Sequence, residues 1–300
     1  MHIWGSHCVI FGNFDFYFNK IPLNIESLDI SRLELTTLPD LSRFTNLKTL
    51  NCSHNKLTSL FPLNPFLKTL HCEFNNLISL PLLNNSLHYL YCSDNQLTSL
   101  PPLNDSLQYL YCSNNLLKSL PPLNPSLKSL NCSSNHLKSL PSLNDSLQYL
   151  YCSNNHLKSL PPLNPFLKTL HCEFNNLISL PSLNNSLQYL HCSYNKLNHL
   201  PYLPFDLIIY IYNNPIYIYI YELDFIDSNN QVTILNKITH FKDFYFLSKF
   251  KKKFISWLWK SREKKIQEKF HFKYLDEVIK KNESNPDFNL DDFIDKWIND

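Results

Sequence analysis

Residues 47–62 read LKTLNCSHNKLTSLFP, and the same pattern returns every twenty residues. Cysteine marks the beat at Cys52, Cys72, Cys92, Cys112, Cys132, Cys152, Cys172 and Cys192. Three places after each stands an asparagine: Asn55, Asn75, Asn95, Asn115, Asn135, Asn155, Asn175 and Asn195. Leucines recur at Leu47, Leu50, Leu57, Leu60 and Leu63 and at their twenty-residue echoes. A fixed period of this length builds stacked units, each burying its apolar face against its neighbours, rather than a compact globule.

Eight regular units, from 47–66 to 187–206, share the consensus LxxLxCxxNxLxSLPxLNxS. The opening LxxLxC alternates apolar and polar, the period-two signature of a half-buried strand. Leu50 and Cys52 are expected to point inward, and Thr49, Asn51 and Ser53 outward. Asn55 and its echoes fall where the strand turns, where an amide satisfies backbone groups otherwise buried without partners. They read as a structural ladder. The second half of each unit is too rich in proline and too short for an α-helix. It is expected to run extended, near polyproline II, with Asn64, Asn84, Asn104 and their echoes starting an Asx-type turn into the next strand. Phe66–Pro81 reappears unchanged as Phe166–Pro181, and Asp105–Asn115 as Asp145–Asn155, which indicates recent duplication of whole units.

Outside the regular units the pattern loosens. Residues 1–24 are aromatic and lack the period; they are expected to cap the open end of the stack. Residues 25–46 form a degenerate first repeat, with Leu33 where the asparagine belongs. Leu207 opens a partial ninth repeat, 207–214, so the array spans 25–214. The Ile/Tyr alternation of Ile216–Tyr221 reads as a strand within a β-rich cap, 215–233. A helical module is expected over 234–300. In it, Lys249–Lys269 carries nine Lys or Arg against two Glu, with Phe250, Phe254, Trp257, Leu258 and Ile266 near one helical face.

Composition narrows the function. The formal net charge of +2 gives no whole-molecule attraction to a polyanion. Only Gly5 and Gly12 are glycines, so nothing beyond residue 12 forms a glycine-rich phosphate loop, a dinucleotide fingerprint or a nucleophile elbow. Stacked parallel strands hold successive cysteines about 5 Å apart with parallel Cβ vectors, whereas a relaxed disulfide needs its side chains to converge. Free buried thiols in a reducing compartment are therefore expected. The start lacks a basic stretch followed by a clean apolar core, and no uninterrupted apolar run reaches the ~20 residues that span a bilayer. The expected location is cytoplasmic.

The repeat resembles the leucine-rich repeat family, specifically its short twenty-residue type with a proline-rich return known from bacterial effectors. The inward cysteine, the LN return and the AT-rich codon usage behind the composition resemble most closely the leucine-rich repeat proteins of giant DNA viruses of amoebae. The resemblance implies an α/β repeat solenoid: a right-handed superhelix with a parallel β-sheet on its concave face, followed by a small helical C-terminal region. It also implies a non-enzymatic protein whose concave face binds another protein. Some bacterial relatives carry a C-terminal ubiquitin ligase with a catalytic cysteine, but no cysteine follows Cys192 here.

Two outward columns define the expected binding face. One reads Thr49, Thr69, Tyr89, Tyr109, Ser129, Tyr149, Thr169, Tyr189; the other Asn51, His71, Tyr91, Tyr111, Asn131, Tyr151, His171, His191. Candidate contact residues are Tyr89, Tyr91, Tyr109, Tyr111, Tyr149, Tyr151, Tyr189, His71, His171 and His191. Tyrosine offers a large rigid surface and a hydroxyl at small entropic cost; the competing reading is that tyrosine stacking merely stabilises the sheet. His171 and His191 are possible neighbours in adjacent units, but two ligands do not make a metal site. No grouping of nucleophile, base and orienter is present, so neither cofactor, metal nor catalysis is expected. An alternative assigns function to the basic C-terminal helix, which with Lys118, Lys138 and Lys158 would target an anionic membrane surface or nucleic acid. The acidic residues of 276–300 weigh against it.

Overall fold

A computed structural model describes residues 1–10, 14–216, 232 and 236. The chain divides into two units, Met1–Thr239 and His240–Asp300, and all described residues belong to the first. The basic segment Lys249–Lys269, almost all of the expected β-rich cap and the expected helical module therefore lie outside the described residues.

The array is a parallel-strand β-solenoid of about 10 turns with little helix. Ten short strands follow the repeat: β3 (Ser27–Asp29), β4 (Thr49–Asn51), β5 (Thr69–His71), β6 (Tyr89–Tyr91), β7 (Tyr109–Tyr111), β8 (Ser129–Asn131), β9 (Tyr149–Tyr151), β10 (Thr169–His171), β11 (Tyr189–His191) and β12 (Ile208–Tyr210). Ahead of them lie β1 (His2–Trp4), β2 (His7–Val9) and a five-residue helix, α1 (Phe14–Phe18). All twelve strands form one sheet in sequence order. Among the described residues only β1 and β2 pair antiparallel, through a turn at Gly5 with φ of 60°, and the other pairs are parallel. From β4 to β11 register is strict, so each strand residue lies beside its echo twenty positions away, as Tyr89 beside Tyr109 and His171 beside His191.

The inward columns make the core. Leu47, Leu50, Cys52 and Leu57 and their echoes are buried throughout the regular units, and each leucine taken fully from water contributes roughly 1.5–3 kcal/mol. All nine cysteines are free and buried. Burial pushes the Cys52 and Cys132 thiols up to about 12, so they stay protonated and inert.

Two asparagine ladders tie the units together. Asn75 Oδ1 accepts from the Leu57 N–H at 3.0 Å, while its Nδ2 donates to the carbonyls of Cys52 and Cys72, both at 3.1 Å. One side chain thus closes its own turn and staples the preceding one. The same bonds recur to Asn195, and Asn214 extends them, accepting from Leu197 N–H and donating to Cys192 O, both at 3.0 Å. The second ladder runs through the returns. Asn64, Asn84 and Asn104 accept from the N–H two residues on, making the expected Asx turns. Each return asparagine also donates to the backbone carbonyl of its echo one unit earlier, for example Asn84 to Asn64 at 2.7 Å. Sequence reasoning foresaw the turn but not this bond between units.

Two further features differ from expectation. Ser53, read as outward, is only 4% exposed, because its hydroxyl folds back to donate to Asn51 Oδ1 at 2.7 Å. At each turn the residue before the ladder asparagine is left-handed: nine such positions from His54 to Asn213 have φ between 51° and 55°. Non-glycine residues there cost roughly 1–2 kcal/mol. The conformation persists because it aims the backbone N–H at the next unit, as His54 N–H to Glu73 O at 2.9 Å.

At the far end, Ile216 is buried and its N–H donates to Leu197 O at 2.9 Å; Tyr217–Tyr221 lie outside the described residues. Asn236 binds Leu203 in both directions, accepting from its N–H at 2.8 Å and donating to its carbonyl at 2.9 Å.

Candidate functional site

Strict register converts sequence columns into physical ladders on the open face of the sheet. Tyr89 stacks on Tyr109 with centroids 4.9 Å apart and planes 8° from parallel. Tyr91 stacks on Tyr111 at 5.1 Å and 7°, and His71 on Tyr91 at 4.3 Å and 4°. Tyr89 is exposed at 37%, and the other rings stay half-buried. Burial, with the neighbouring tyrosines and Glu73 adding to it, raises the Tyr91 hydroxyl above its ordinary value, so it remains a neutral donor and acceptor.

The ladder is not continuous. β8 places Ser129 and Asn131 between the tyrosines of β7 and β9, and Ser129 is 2% exposed between its large neighbours. The site residues therefore form two blocks. The first is His71, Tyr89, Tyr91, Tyr109 and Tyr111; the second is Tyr149, Tyr151, His171, Tyr189 and His191, which Tyr210 of β12 extends. In the second block the rings are less regular: Tyr151 tilts 41° against His171, and His171 stacks on Tyr189 at 17° but meets His191 edge-on at 71°.

Glu173 explains part of that irregularity. Two residues beyond His171, it returns to the same face, and its carboxylate sits between two imidazoles: Oε1 lies 3.6 Å from His171 Nδ1 and Oε2 3.5 Å from His191 Nδ1. Burial tends to raise this carboxyl, but the His171 imidazole, the backbone amide and the nearby His191 outweigh it and hold the group below the ordinary carboxylate range. Burial lowers His191 below the ordinary imidazole value, with Glu173 opposing and His171 reinforcing. Glu173 was absent from the expected site. The signal that finds it is the i, i+2 alternation carried one step past the strand end. Lys118, Lys138 and Lys158 are exposed in the segment that follows the turn. Among the described residues no helix is long and apolar enough to cross a membrane.

Comparison with known proteins places this architecture. A model described as leucine-rich repeats in two copies matches residues 85–125, 105–145 and 145–185, and a single leucine-rich repeat model matches 46–65. Among solved structures the chain is similar to YopM from Yersinia enterocolitica WA-314, at 36% identity and a TM-score of 0.56, covering 65% of this chain and 48% of that one. It is also similar to YopM, a leucine-rich effector protein from Yersinia pestis, at 32% identity and a TM-score of 0.55, covering 65% and 68%. The leucine-rich repeat domain of APL1B aligns at 25% identity and a TM-score of 0.51, over 67% of each chain. This chain thus spans about half the length of the first of these structures. No curated protein matches it. The period, the parallel sheet, the asparagine ladder and these likenesses agree: the chain belongs to the leucine-rich repeat family.

Proposed function

We propose that this protein is a non-enzymatic scaffold that binds a protein partner across the open face of its sheet, through Tyr89, Tyr91, Tyr109, Tyr111, Tyr149, Tyr151, Tyr189, His71, His171 and His191. The fold is typical of protein-interaction scaffolds, and its members are generally non-enzymatic. The observation that carries the reading is the stack of rings in register on an otherwise small and polar surface. Stacking holds each ring in place before a partner arrives, which lowers the ordering cost of binding. Sheet stabilisation and recognition are thus two uses of one ladder. The viral resemblance of the cysteine column makes a cytoplasmic protein of an infected cell the first partner to seek.

The test is affinity capture from a host lysate with wild type and a variant carrying Tyr89→Ala, Tyr91→Ala, Tyr109→Ala and Tyr111→Ala, with circular dichroism confirming the fold of both. The captured proteins are expected to disappear with the variant. If both retain the same proteins, the reading fails.

A further inference from the structure

We propose that His171, Glu173 and His191 form a binding site for one divalent transition-metal ion, with zinc the best fit. One ligand atom from each residue lies within 4.8 Å of the others. Three tetrahedral ligands at about 2.0–2.2 Å from zinc stand about 3.3–3.6 Å apart. The carboxylate presents one oxygen to each imidazole, Oε1 at 3.6 Å from His171 Nδ1 and Oε2 at 3.5 Å from His191 Nδ1; small side-chain rotations bring the three groups onto one ion. The same separations are too long for good hydrogen bonds. Glu173 Oε2, like Glu73 Oε2 of the first copy, is closed off from solvent and makes no hydrogen bond, here on a side chain only 13% exposed. A buried carboxylate oxygen without a donor is costly, and a cation between it and the imidazoles resolves the deficit. Two imidazoles and one carboxylate select zinc, cobalt or nickel over magnesium or calcium. They also leave a fourth position on the open side for water or a partner's side chain.

The molecule carries its own control. The first copy of the duplicated stretch supplies His71 and Glu73 with the same spacing, 3.4 Å from Nδ1 to Oε1. There the next strand offers Tyr91, whose ring stacks flat on His71 and has no nitrogen to present to the carboxylate. The site assignment thus depends on one letter, histidine against tyrosine, at the position facing the pair. It stands independently of the protein-binding reading.

The experiment is calorimetric titration of the full, tag-free chain with zinc, paired with cobalt absorption, which separates imidazole and carboxylate ligands from thiolates. Wild type is expected to bind one ion per chain with no thiolate band. His191→Tyr and Glu173→Gln, at unchanged circular dichroism, are expected to weaken binding by about 100-fold, since losing a ligand costs no less than losing a group that merely orients one. Tyr91→His, which supplies the missing imidazole to the first copy, is expected to raise the stoichiometry to two. Wild type that binds no zinc, binding unchanged in both loss variants, or a Tyr91→His chain that still takes one ion overturns the site.

Discussion

Two stretches of this molecule have identical sequence, Phe66–Pro81 and Phe166–Pro181, yet end in different chemistry. Inside, from strand to turn, they match. Leu70 and Leu170, and Cys72 and Cys172, are equally buried; Phe74 and Phe174 share a φ of 54°; Asn75 and Asn175 make the same ladder bonds. On the surface they diverge. Phe74 stacks on His54 from the preceding unit, whereas Phe174 stacks on Tyr194 from the following one. His71 lies flat on Tyr91, whereas Glu173 is clamped between His171 and His191. The interior of a repeat is settled within the repeat, because every neighbour offers it the same leucines and cysteine. Its surface is settled by whichever residue stands one unit away.

The largest expected effect probes the shared interior. Leu70→Ala and Leu170→Ala are each expected to cost about 2–5 kcal/mol in urea unfolding, through lost burial and the cavity left behind. The comparison predicts similar losses for the two; a large difference breaks the equivalence of the cores. Next come the ladders. Asn75→Ala and Asn175→Ala leave the Leu57 and Leu157 N–H groups without acceptors, at about 1–3 kcal/mol each, again alike in both copies.

Surface substitutions are expected to separate the copies. Tyr91→Ala removes a large ring stacked flat on both His71 and Tyr111, expected to cost about 0.5–1.5 kcal/mol for each stack, whereas His191→Ala removes a smaller ring with one edge-on and one tilted contact and is expected to cost less in thermal unfolding.

The smallest effect is one of pH. His191 sits below its ordinary value of 6.5 when folded, so its neutral form is favoured and the stability it allows is full above that value. It is lost as pH falls through the folded value. Glu173, also depressed, contributes stability above its ordinary 4.5 that is lost as pH falls further. Both act in one direction: acidification destabilises. In melting curves taken from pH 7 to 5, His191→Tyr is expected to lose less stability than wild type.

Much of the fold was legible from the repeat alone. The inward set of Leu50, Cys52 and Leu57 follows from alternation and period, as does the absence of helix in the proline-rich returns. The turns at Asn64, Asn84 and Asn104 follow from side-chain chemistry. Ser53 is covered although its column faces outward, because its short side chain folds back and its hydroxyl donates to Asn51. The left-handed column was not legible because it mixes residues that favour the conformation, such as Asn114 and Asn154, with Phe74, Ser134 and Tyr194, which do not; bonds to the next unit impose it. Of the candidate site, the residue columns were legible but their division into two blocks at Ser129 was not, and Glu173, an echo of the outward Ser53 column, was not joined to His171 and His191 because only the folded side chains bring the three together.

By itself, then, the sequence determined which atoms are interior and how the units stack, since a strict twenty-residue period admits one register that buries the Leu47, Leu50, Cys52 and Leu57 columns together. Tertiary structure alone decided what the two identical stretches present to solvent. Parallel pairing brings residues twenty apart to within ring-stacking distance, so Tyr91 facing His71 and His191 facing His171 make different surfaces from the same letters.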